Sequence, residues 1–140
     1  PVVFIYIVVG YGTAVQATQV FGWLVEQVLS LDMNPYLLTF VAVNLLAGMT
    51  ANGTGGVTLF MENFGATILG NPAINVGALH RIAAISGAGF DSLPHNGAIA
   101  FQLSVFKLSY KDGYFQQFMM SVLVNLLAGL LAVLMAVVLF

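Results

Sequence analysis

Two ionisable side chains interrupt apolar sequence in the run Gly89-Phe90-Asp91-Ser92-Leu93-Pro94-His95-Asn96-Gly97. An ionisable group at bilayer depth costs at least about 2.5 kcal/mol on insertion scales, which makes Asp91 and His95 candidates for carrying a proton or holding an ion. Spaced four apart they would share a helix face. Pro94, however, lacks a backbone donor and disfavours helix at Leu93, so a turned or extended loop is expected. The plainer alternative has Asp91 capping the following helix and His95 bonding a free carbonyl, and both roles can coexist with ion coupling. A second polar cluster lies upstream at Gly48-Met49-Thr50-Ala51-Asn52-Gly53-Thr54-Gly55-Gly56. Thr50, Asn52 and Thr54, with Ser92 and Asn96, supply neutral oxygens and amides, which suit a desolvated cation or a substrate carboxylate. The helix starts at residues 55–57 and 97–99 would add backbone N–H groups at a positive dipole end.

Other chemistry fits these residues poorly. Ser86, Ser92, Asp91 and His95 are the residue types of a hydrolytic triad, but they crowd into one glycine-rich stretch with no nucleophile-elbow pattern, so no catalytic residue and no enzyme is expected. No Lys follows the glycine-rich tip at phosphate-loop spacing, which argues against a nucleotide site. The chain has no cysteine, which removes disulfides and thiolate metal sites. No metal and no cofactor is implied.

The elements that must position these groups follow from composition. Of 140 residues 60% are apolar and only 6% charged, with a mean hydropathy of +1.00. Soluble domains carry about 25% charged residues, so an ordinary cytosolic domain is excluded and an all-α polytopic membrane protein is expected. A net charge of −2 gives no electrostatic case for nucleic acid or an anionic lipid surface. The chain opens at Pro1 within an apolar run, with neither an initiator Met nor a basic leader, and reads as a fragment of a larger protein.

Charges at Glu26, Asp32, Glu62, Arg81, Asp91, Lys107, Lys111 and Asp112 divide the chain into four blocks. Residues 1–24 are long enough to span, with a Gly10-Tyr11-Gly12 interruption that is either a close packing site or a local break. Residues 35–69 hold two apolar arms of about 13 residues, or about 20 Å of helix, too short to cross a core of about 30 Å. Four Gly in nine residues between the arms predict that helix stops across 48–56. That describes a re-entrant hairpin whose tip faces a site, since irregular backbone at membrane depth must be buried in protein or face water. A single kinked helix over residues 37–60 is the competing reading. Residues 73–108 repeat the pattern as a discontinuous helix broken at 86–97, and residues 114–140 form an uninterrupted spanning helix. Paired interrupted segments of this kind point to a transporter binding site.

Lys107 and Lys111 place the connection between the last two blocks in the cytoplasm by the positive-inside rule, so the hairpin would enter from outside. Arg81 either attracts an anionic substrate, snorkels to headgroups or pairs with Glu62. Glu62 itself is read as interfacial, with a buried proton carrier as the alternative, and His80 as interfacial.

The segments Leu45, Ala47-Gly48-Met49-Thr50 with Gly55-Gly56, Leu79-His80-Arg81-Ile82-Ala83, Ser86-Gly87 and Gly89-Phe90-Asp91-Ser92-Leu93-Pro94-His95-Asn96-Gly97-Ala98 closely resemble the gluconate permease (GntP-type, gluconate:proton symporter) family of the ion transporter superfamily. The resemblance covers essentially the whole chain. It implies the C-terminal part of an inverted-repeat, elevator-type transporter, working as a homodimer in the cytoplasmic (inner) membrane of a bacterium. It also implies that the hairpin tip and the unwound loop bind substrate and coupling ion. Carried over, the tip corresponds to Thr50, Asn52 and Thr54 and the loop to Ser92, His95 and Asn96, with Asp91 or His95 titrating. The expected activity is symport of a small organic anion with protons, the anion being a gluconate-like sugar acid or a short hydroxy acid such as 3-hydroxybutyrate. Sodium coupling is the alternative; a channel and a non-transporting membrane subunit are the other classes considered.

Overall fold

The computed structural model describes residues 14–15, 17–31 and 33–140. Every regular element among the described residues is helical. Helices α1 (Gln19–Leu29), α2 (Pro35–Thr50), α3 (Gly53–Leu69) and α4 (Val76–Gly87) are followed by a 3-10 turn (Phe90–Ser92) and α5 (Gly97–Val105). The last helix, α6 (Tyr110–Leu139), is 30 residues long and includes a π-helical stretch at Phe118–Leu123. At about 1.5 Å per residue it is about 45 Å long. Among the described residues it alone is long and apolar enough to cross a membrane, while Pro35–Thr50 is a shorter apolar helix.

Most of the expected first spanning helix, residues 1–24, lies outside the described residues. Within them, Ala14 and Val15 are helical, and a helix opens at Gln19, where the Thr18 hydroxyl accepts from Phe21 N–H at 3.3 Å, and continues past Leu24 to Leu29. The last helix likewise starts ahead of residue 114, because the Ser109 hydroxyl accepts from Asp112 N–H and opens it at Tyr110.

Between α2 and α3 the chain turns in two residues, not nine. Ala51 takes the left-handed conformation, φ 49°, and the N–H groups of Asn52 and Ala51 close onto the carbonyls of Ala47 and Gly48 at 3.1 and 3.4 Å. This paired closure satisfies carbonyls that the end of α2 would otherwise leave open. Asn52 then caps α3, its Oδ1 accepting from Gly55 N–H at 3.3 Å. The glycines of this stretch are therefore helical, contrary to the expected break over 48–56. Propensity counts against them in an isolated helix, but tertiary packing overrides it. A side chain at Gly56 would put its Cβ 2.5 Å from Ala47 N, so glycine there lets the two arms meet at their backbones.

Below the tip the arms enclose a core of Val43, Leu46 and Phe60, with Phe60 and Phe64 stacked at 5.4 Å between ring centroids. Helix α4 lays Leu79, Ile82 and Ala83 against this core. Its position is pinned at the far end, where Tyr36 of α2 accepts from Asn75 N–H at 2.9 Å.

Candidate functional site

The interruption between α4 and α5 sits beside the turn between α2 and α3. Three contacts hold them together. His95 Nε2 donates to the carbonyl of Gly48 at 2.7 Å, and Asn96 Nδ2 donates to the carbonyl of Ala51 at 3.0 Å. A Cβ on Gly53 would lie 2.3 Å from the carbonyl oxygen of Gly87, so the start of α3 and the end of α4 touch through backbone. Asn96 also donates to the carbonyl of Asp91 and, through Oδ1, accepts from Ala98 N–H at 2.6 Å. Asn96, not Asp91, thus caps α5. Asp91 Oδ1 accepts from the Ser92 hydroxyl at 2.8 Å instead.

Of the residues expected to bind, Asn52, Thr54 and Asp91 line one open cleft of about 460 Å³, together with Gly53, Thr58 and Gly87. Ser92 does not line it but donates to Asp91, which does. His95 and Asn96 tie the loop to the hairpin. Thr50 is buried and donates to the carbonyls of Leu46 at 2.8 Å and Asn52 at 3.1 Å, so it braces the turn and does not line the cleft. The cleft therefore combines the positive end of α3 on one wall with a half-buried carboxyl on the other. Such a space can hold a small anion provided that the carboxyl opposite does not also carry charge.

Sequence reading missed several groups that hold the site. Tyr110 and Tyr114 on α6 donate to the carbonyls of Pro94 at 2.9 Å and Ser92 at 3.2 Å, and Asn125 donates to the carbonyl of Ala88 at 3.3 Å. One helix thereby satisfies three backbone acceptors of the unwound stretch, which would be costly to leave open in an apolar surrounding. The π-helical stretch lies between Tyr114 and Asn125, a placement common near functional sites. Asn44 and Ser86 are also buried at this junction, and neither Asn44 Oδ1 nor Ser86 Oγ has a hydrogen-bond partner. Arg81, by contrast, donates to its own helix at the carbonyl of Gly77, 3.3 Å away, and is exposed with Glu62.

No family model matches this sequence and no solved structure matches it. The chain is similar, at 28% identity over 108 residues, to a Bacillus subtilis (strain 168) protein named "Uncharacterized transporter YxjC". The matched stretch takes in 75% of this chain and 23% of that protein, so the chain spans about a quarter of its relative's length. A relative named as a transporter and a helix able to cross a bilayer support a membrane protein with a transporter role.

Proposed function

We propose that the chain carries part of the substrate site of a secondary active transporter that moves a small organic anion together with protons. The anion is a gluconate-like sugar acid or a short hydroxy acid, and the setting is the cytoplasmic membrane of a bacterium, with a homodimer as the working unit. The observation that carries this reading is the shared cleft of Asn52, Thr54 and Asp91, built from an α-helix start and a loop that belong to two separate segments.

Coupling follows from charge. A substrate carboxylate and an ionised Asp91 held side by side in one cleft repel each other, and a proton on Asp91 removes that repulsion. The anion therefore enters with a proton on Asp91, and the loaded site is close to neutral when it crosses. With Asp91 ionised and no anion bound, the site carries an uncompensated charge and stays where water can reach it.

The full-length protein in liposomes, given an acidic outside and labelled 3-hydroxybutyrate or gluconate, should accumulate label above equilibrium, and collapsing the pH gradient should stop accumulation. Accumulation that survives the collapse and follows an imposed sodium gradient would reject proton coupling. It would favour a cation held by neutral oxygens such as the unpartnered Asn44 Oδ1 and Ser86 Oγ.

A further inference from the structure

Val57 and Ala84 line the apolar side of the cleft. Those two residues also line a second, neighbouring cavity of about 230 Å³ that continues along the groove between α3 and α4 toward the base of the hairpin. Its walls are Met61 and Leu69 from α3 and Val76, Leu79 and Ala83 from α4, and His80 is its one polar side chain. Leu79 and Ala83 form a buried floor, whereas Met61 and Val76 stand at the open edge. A polar cleft at Asn52 and Asp91 and an apolar cavity reaching Leu69 and Val76 thus lie side by side, meeting at Val57 and Ala84.

The apolar chamber has room for several waters but offers them almost no hydrogen-bond partners. The hydroxyls of a polyol would be equally unsatisfied there. Methylene groups lose nothing by entering, and each one buried improves binding by about three- to fourfold.

We propose that this chamber receives the unsubstituted alkyl tail of the transported monocarboxylate, whose carboxylate end lies at Asn52, Thr54 and Asp91. The substrate class is then an aliphatic acid, not a polyhydroxylated sugar acid. This inference rests on the proposed transport function and narrows it. The occupant follows from adjacency: the two cavities meet at Val57 and Ala84, so a molecule bound by its carboxylate in the polar cleft has its tail directed toward the apolar one.

The test uses the full-length protein in proteoliposomes, with uptake of labelled 3-hydroxybutyrate competed by unlabelled 3-hydroxybutyrate, 3-hydroxyhexanoate, 3-hydroxyoctanoate and gluconate. Half-inhibitory concentrations should fall by about three- to fourfold per methylene until the chamber is full, and gluconate should be the weakest competitor. Met61→Trp and Val76→Phe, which narrow the chamber from its two sides, should flatten the chain-length series, raising the half-inhibitory concentration of 3-hydroxyoctanoate toward that of 3-hydroxybutyrate. Two variants guard against one of them failing to fold. A flat series in the wild type, as expected if a lipid chain or another segment of the longer protein fills the groove, would overturn the proposal, as would gluconate competing best. Absence of uptake for every carboxylate would instead reject the transport function on which it rests.

Discussion

Replacing Gly53 with valine should reduce uptake by the full-length protein at least tenfold and lower its thermal stability. The added Cβ would meet Gly87 at 2.3 Å from its carbonyl oxygen and 2.9 Å from its carbonyl carbon, and Asp91 Oδ2 at 3.2 Å. The first two are backbone atoms, which cannot swing aside as a flexible side chain would. Overpacking of this kind typically costs about 1–3 kcal/mol, and here relief requires α3 and α4 to separate at the point where the cleft is formed. Gly22 on α1 is the control, since nothing lies within 4 Å of the Cβ that an alanine would add. Gly22→Ala should be neutral or stabilising by up to about 1 kcal/mol through helix propensity alone. Wild-type melting and uptake in Gly53→Val would mean that the two segments do not need to touch.

The second large effect is expected at Asn96. Its amide donates to the carbonyls of Ala51 and Asp91, and its Oδ1 accepts from Ala98 N–H, so one buried side chain joins the hairpin turn, the unwound loop and the start of α5. Asn96→Ala loses a helix cap, worth about 1 kcal/mol, and leaves two carbonyls without this donor, at about 1–3 kcal/mol for each that stays buried and unsatisfied. With one of the two carbonyls left buried and unsatisfied, a loss of about 2–4 kcal/mol is expected in thermal or denaturant unfolding, with uptake falling in parallel. Asn96→Ser retains an oxygen that can cap but no amide to reach Ala51, and should fall between the two. An alanine variant within about 0.5 kcal/mol of wild type would show that Asn96 joins nothing of consequence.

How much of this was legible in the sequence depends on whether the signal was local. All-helical character and membrane affinity follow from 60% apolar and 6% charged residues. The interruption between Gly87 and Gly97 falls on the stretch where Pro94 and its glycine neighbours weaken helix by covalent geometry. The turn at Ala51 and Asn52 was misjudged in extent because Gly48, Gly53, Gly55 and Gly56 look like helix breakers by propensity. At Gly53 and Gly56 the structure instead uses the missing side chain for backbone contact, and that requires knowing the partners, Gly87 and Ala47. Thr50 shows the same limit in reverse. Its hydroxyl suits a ligand, but i−4 geometry lets it bond Leu46 within its own helix. Tyr110, Tyr114 and Asn125 reach carbonyls 16, 22 and 37 residues away in sequence, and no spacing rule covers such distances.

Substrate protection of single cysteines in the cleft tests most directly whether the hairpin start and the broken helix bind substrate together. This chain has no cysteine of its own, so Thr54→Cys and Ala88→Cys report separately on the two walls. In the full-length protein with any cysteines elsewhere removed, a small maleimide should label both positions, and a transported carboxylate should slow labelling of both, with the same concentration dependence as its uptake. If the carboxylate is transported while both cysteines react at an unchanged rate, the substrate binds elsewhere and the cleft is not the site.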